Sequence, residues 1–170
     1  MNSSREEALF ALALEKSADQ RPAFLDAMCD GDAALRARLD ALIATHVKAL
    51  LEAGKFSEAE PLARECVALR EKLIPDEWFT FNARSMLGAC LLGQKKFAEA
   101  EPLLLSGYEG MKQREDKIPA ESKRYVKETL QRLVQLYEAT GQSQKAAEWN
   151  KKLAEFDQAE AEKKIAAPRP

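Results

Sequence analysis

The segment Lys96-Phe97-Ala98-Glu99-Ala100-Glu101-Pro102-Leu103 has a near-copy 41 residues upstream, Lys55-Phe56-Ser57-Glu58-Ala59-Glu60-Pro61-Leu62. Self-similarity at a period of roughly 20 to 50 residues marks a chain that builds one supersecondary unit several times. Such a unit cannot bury its apolar face alone, so its copies stack. Glycines and prolines are few, 7 of each in 170 residues, and long stretches show helical apolar spacing. The expectation is therefore an all-α chain of stacked antiparallel helix pairs.

Taken in order, Ser3 or Ser4 is placed to cap a first helix reaching about Lys16, and Asp19 a short second helix with Pro22 in its first turn. Phe24, Leu25, Met28 and Cys29 form the apolar face of that second helix, and Asp30-Gly31-Asp32 breaks it. Leu35, Leu39, Leu42, Ile43, His46, Val47 and Leu50 recur at steps of three and four, predicting the longest helix, from Asp32 to Ala53, ended by Gly54. Helices follow at about 57–73, 77–92 and 97–113, one opens after Ile118-Pro119 and ends before Gly141, and a last runs from about 143 to 161. Phe79, Ala83, Leu87 and Leu91 are predicted to face inward in one of them; Val126, Leu130, Leu133, Val134 and Tyr137 in another; Ala146, Trp149, Leu153 and Phe156 in the last. These elements group into an N-terminal cap at 1–31, three repeats at 32–75, 76–117 and 118–162, and a flexible tail at 163–170, the long third helix serving as the first helix of repeat one.

Aligned on Ala59, Ala100 and Ala146, the repeats resemble the tetratricopeptide family. Leu87-Gly88, Phe97 and Ala100 carry the likeness in one copy, Gly54, Phe56 and Ala59 in another, and Tyr137, Gly141 and Ala146 in the third. Spacings of 41 and 46 residues are similar to the longer kinesin-light-chain type of this repeat. The resemblance implies a right-handed superhelical stack with a concave groove lined by the first helix of each pair. His46-Val47 stands where Leu-Gly is usual, and Ser143 where an aromatic is usual. The segment from Glu6 to His46 also resembles the helical stretch preceding the catalytic domain of bacterial serine/threonine protein kinases. Trp78 to Trp149 resembles the C-terminal repeat region of the same kinases. No GxGxxG loop, HRD-type loop or DFG occurs, so the kinase core is missing and no ATP or magnesium site is expected.

No other catalytic constellation is apparent. His46, the only histidine, lies on an apolar stripe and reads as a packing residue; Glu58/Glu60 and Glu99/Glu101, spaced i, i+2, diverge on a helix and read as solvated faces. Asp30-Gly31-Asp32 lacks the remaining ligands of a calcium loop and reads as a turn and cap. Cys29, Cys66 and Cys90 form no CxxC pair and read as small apolar residues. No cofactor and no metal are expected, and the chain is read as non-enzymatic. With 26 basic and 28 acidic residues, no nucleic-acid or membrane partner is expected either, and the absence of a signal-like start points to the cytoplasm.

The remaining candidate is the groove, whose partner would be a protein or peptide. By repeat register its residues are Asn82, Arg84, Ser85 and Ala89 in repeat two, and Glu128, Gln131, Arg132, Gln135 and Glu138 in repeat three. Asn and Gln offer both donor and acceptor to a peptide backbone. The function read from the sequence is thus a non-catalytic interaction module, an adaptor linked to bacterial serine/threonine kinase signalling. The alternatives are a kinase remnant without its catalytic core, and a scaffold that forms a homo-oligomer through an apolar patch at Trp149 and Phe156 or the first helix.

Overall fold

A computed structural model describes residues 3–166; the side chains of Ser3 and Ser4, with their predicted cap, and residues 167–170 of the predicted tail lie outside it. Among the described residues there are eight α-helices and no strand: α1 (Ser3–Leu14), α2 (Arg21–Cys29), α3 (Ala33–Glu52), α4 (Phe56–Leu73), α5 (Trp78–Gly93), α6 (Phe97–Lys112), α7 (Arg124–Ala139) and α8 (Ser143–Ala166). Two short 3₁₀ turns lead into α7. Each helix from α3 onward packs on the next, and α5 also touches both α3 and α7. The first helices of the three pairs thus form one inner layer. A continuous core runs from Ala13 through Leu39, Leu62, Leu87, Leu104 and Leu133 to Trp149.

The turn inside each pair has one construction. Gly54 has φ 71°, and its N–H and that of Lys55 bond back to the carbonyls of Leu51 and Leu50 at 3.1 and 2.8 Å. Gly141 has φ 70° and repeats this with Gln142, Glu138 and Tyr137. In both, the left-handed residue lets the chain reverse while satisfying helix-end carbonyls. The middle copy does the same with Lys95, at φ 61°, so a side chain occupies the position its sister turns give to glycine.

Within the pairs, close approach is bought with missing side chains. A Cβ on Gly88 would lie 2.7 Å from Leu104 Cγ, and one on Gly107 would lie 2.9 Å from the carbonyl oxygen of Phe81 and 3.1 Å from the amide nitrogen of Ser85. The helices of pair two therefore meet almost backbone to backbone. Pro61 and Pro102 each stand inside a helix. Each removes the bond to the carbonyl four residues back, at Ser57 and Ala98, and both of those residues are exposed to water that can replace it.

The acidic residues of the echoed segment divide in role. Glu58 and Glu99 are exposed, as expected of a solvated face. Glu60 and Glu101 are instead ties to the following repeat, because the register turns them toward the next pair. Glu60 accepts from Gln94 at 2.7 Å and Lys96 at 2.9 Å, and Glu101 accepts from Tyr137 Oη at 2.8 Å and Lys145 at 3.2 Å. Burial opposes the Glu60 charge, but its bonds to Lys96, Gln94 and Arg64 outweigh that and hold its pKa at about 2.

Several expectations are corrected. The helix before Asp30 is entered from Gln20, with no side-chain cap, because the turn from Ser17 is already hydrogen-bonded and needs nothing from Asp19. Met28 and Phe79, expected to face inward, are exposed, 41% and 43%. The longest helix is α8, whose 24 residues run past the predicted end to Ala166. It turns Ala146 and Trp149 into the core and packs Leu153 and Phe156 against it, while Glu148, Lys151, Glu155 and Gln158 are exposed. Trp149 is edge-on to Tyr108 and covered by Lys152, so it supplies no apolar patch for self-association. Asp32, by contrast, caps α3 as expected, accepting from the Leu35 N–H at 2.8 Å.

Candidate functional site

The inner layer of α3, α5 and α7 leaves two adjoining cavities on its open face. One, of about 390 Å³, is lined by Leu51 and Glu52 from α3, Ala89 and Leu92 from α5, and Arg132 and Gln135 from α7. The other, of about 490 Å³, is lined by Thr45 and Ala49 from α3, Asn82 and Met86 from α5, and Tyr125 at the start of α7, with Trp78 and Phe79 at its aromatic end. Lys48 lines both. Its ammonium lies 3.7 Å from Glu52, 3.9 Å from Glu128 and 5.4 Å from the centre of the Tyr125 ring.

The floor between α5 and α7 is polar. Ser85 and Thr129, both fully buried, share a hydrogen bond of 2.6 Å, and Arg132 Nη1 donates to Ser85 Oγ at 3.0 Å while its other end meets Glu128 at 3.2 Å. Burial lowers the pKa of Arg132, and the facing Glu128 carboxylate opposes that shift. Asn82 differs from these neighbours. It is 7% exposed, and its Oδ1 is buried with no donor within reach. A buried acceptor left open costs on the order of 1–3 kcal/mol unless something fills it.

The predicted groove residues therefore separate. Ala89, Glu128, Arg132 and Gln135 come together in one cavity and Asn82 lines the other. Ser85 is sealed in the seam beneath them, since α7 lies directly over it. Arg84 faces away: it bonds to Glu71 on α4 at 2.9 Å and stacks on Phe81, because its place on α5 points toward the preceding pair. Gln131 and Glu138 are exposed on α7 and line neither cavity. Sequence reasoning missed the contribution of α3. Thr45, Lys48, Ala49 and Glu52 follow one another at steps of three, one and three beside the apolar stripe, a second face that was legible in the sequence.

Other candidates for chemistry have structural occupations. His46 is edge-on to Phe10, with ring centres 5.8 Å apart. The three cysteines are buried free thiols, and burial raises the pKa of each, that of Cys90 to about 12, which suppresses the reactive thiolate. Among the described residues no three His, Cys, Asp or Glu side chains form a metal-binding group, and no helix is long and apolar enough to cross a membrane.

Stacked antiparallel pairs sharing an inner layer and an open groove define the class: an all-α helical-repeat stack of tetratricopeptide type. Residues 47–77, from the second half of α3 through α4 to the start of α5, match the model of the tetratricopeptide repeat family. Stacks of this kind generally mediate protein–protein binding through an extended concave surface. No curated protein matches the chain.

Proposed function

We propose that the chain is a non-catalytic interaction module that holds an extended peptide or partner helix in the groove formed by α3, α5 and α7. The observation that carries this reading is the open acceptor of Asn82, a buried oxygen beside a cavity with no donor of its own. A peptide backbone N–H is a donor of the right kind, and Gln135 along the same groove offers a second amide. The mixed charges of Lys48, Glu52, Glu128 and Arg132 favour a segment carrying both signs over a polyanion. Placement as an adaptor beside serine/threonine kinases rests on the resemblance of the flanking segments to those enzymes.

The test is partner capture by the wild-type chain and by the Asn82→Leu, Gln135→Ala double variant. Capture is expected to weaken about tenfold or more, as loss of two hydrogen bonds of about 1 kcal/mol each implies. Asn82→Leu alone is expected to keep or raise the melting temperature, since it removes an unfilled polar group. An unchanged set of partners and affinities in the double variant would remove the groove from the function.

A further inference from the structure

A third cavity, of about 350 Å³, lies between the end of α2, the first turns of α3 and the last turn of α4. It is independent of the groove reading. Its wall is mainly carbon, from Cys29, Ala33, Ala37, Leu69, Leu73 and Ile74. Leu73 and Ile74, 58% and 37% exposed, give the cavity an apolar edge that faces water. Two guanidiniums interrupt this wall, and that of Arg70 is held by Asp40 at 2.8 Å. Arg36 is 8% exposed, and its Nε donates to Asp26 Oδ1 at 3.1 Å, but its Nη1 is buried with no acceptor. Asp26 itself is largely in water, at 68% side-chain exposure, so it draws one edge of the guanidinium outward and leaves the other unmet.

The charges around the cavity select the missing acceptor. Asp26, Asp32 and Asp40 balance Arg36, Arg70 and Lys72, with Asp40 bonded to Arg70 at 2.8 Å and Asp32 engaged in capping α3. A doubly charged phosphate would meet no net positive charge here. A single carboxylate needs only the one open donor, and apolar burial supplies the rest of the affinity. We infer that this cavity binds an aliphatic monocarboxylate, its head on Arg36 Nη1 and its chain along Ala33, Ala37, Leu73 and Ile74. A free acid and the apolar C-terminal residue of a peptide offer the same chemistry.

Two probes distinguish those sources: octanoate, and acetyl-Ala-Ala-Leu with a free C-terminus. Each is titrated into the full chain and followed by amide NMR, with octanol and the C-terminally amidated peptide as uncharged controls. The expected result is saturable shifts at Cys29, Ala33, Ala37 and Ile74 for at least one acid, with its uncharged control at least about tenfold weaker. Whichever acid binds names the source. Arg36→Met is expected to weaken that acid about tenfold or more. Ala37→Trp, at an exposed position that leaves Arg36 intact, is expected to block the cavity by bulk, and so guards against a folding artefact. The inference is overturned if neither acid binds up to about 10 mM, if the control binds as well as the acid, if Arg36→Met binds unchanged, or if the shifts fall only in the α3–α5–α7 groove.

Discussion

Replacing Lys95 with glycine should stabilise the chain, although it deletes a side chain and adds none. The three pair turns share one backbone path, and only the middle one forces a residue with a Cβ into the left-handed region. That conformation costs an L-residue about 1–2 kcal/mol. Glycine avoids the cost but loses about 0.5–1 kcal/mol more chain entropy on folding. The lysine also sits favourably at the C-terminal end of α5, worth about 0.3 kcal/mol at an exposed site. The balance is a gain of about 0.5 kcal/mol, or a rise of roughly 1–2 °C in melting temperature for a chain of this length. Urea denaturation followed by far-UV circular dichroism resolves the sign if the sister turns serve as references. Gly54→Ala and Gly141→Ala introduce the strain that Lys95 already carries, and each should lose about 1 kcal/mol. Lys95 makes no side-chain bond among the described residues and lies away from both groove cavities, so capture of a partner should not change. If Lys95→Gly lowers the midpoint, the account of the turns is wrong.

Two further perturbations probe the ties between repeats. Glu60→Gln should cost about 1 kcal/mol at neutral pH after screening by solvent. Because the folded pKa of Glu60 is held below its ordinary value of 4.5, its contribution is present above that value and fades as pH falls toward about 2, so wild-type and variant denaturation midpoints should converge over that window. A gap that stays constant through acid would refute the assignment. Gly107→Ala should destabilise by about 1–3 kcal/mol, and by more than Gly88→Ala, since the new Cβ meets backbone at Gly107 and chiefly the Leu104 side chain at Gly88. Thermal melts of the two variants check the order.

The repeats were legible because their signals are local. The echo around Phe56 and Phe97, the glycines at two turns and the helical spacing of Leu35 to Leu50 are all fixed by neighbours along the chain. The places where reading failed depend on what lies across a helix interface. Arginine is ordinarily a surface residue, and nothing adjacent to Arg21 announces that it is buried, donating to Ala13 and Lys16 carbonyls and to Glu65 at 2.7–2.8 Å. Glu60 and Glu101 look like members of solvated pairs until the next repeat is laid beside them. The groove was legible in part for the same reason. Register places Asn82 and Gln135 on an inward face, but whether Ser85 opens to the groove or is covered is decided by how closely α7 approaches α5. That distance is set by Thr129 and Arg132, 44 and 47 residues away from Ser85.

The surface of α8 carries one more implication. The interfaces inside the stack join apolar burial to matched polar ties such as Glu60 with Lys96 and Glu101 with Tyr137, whereas the outer face of α8 presents Glu148, Lys151 and Glu155 to water. A further pair packed on α8 would have to strip water from Glu148 and from the Lys151–Glu155 pair, 3.9 Å apart, at several kcal/mol for any ion left without a partner. An engineer who wished to add a pair against α8 would first have to rewrite that face, and the turns and grooves could be left alone.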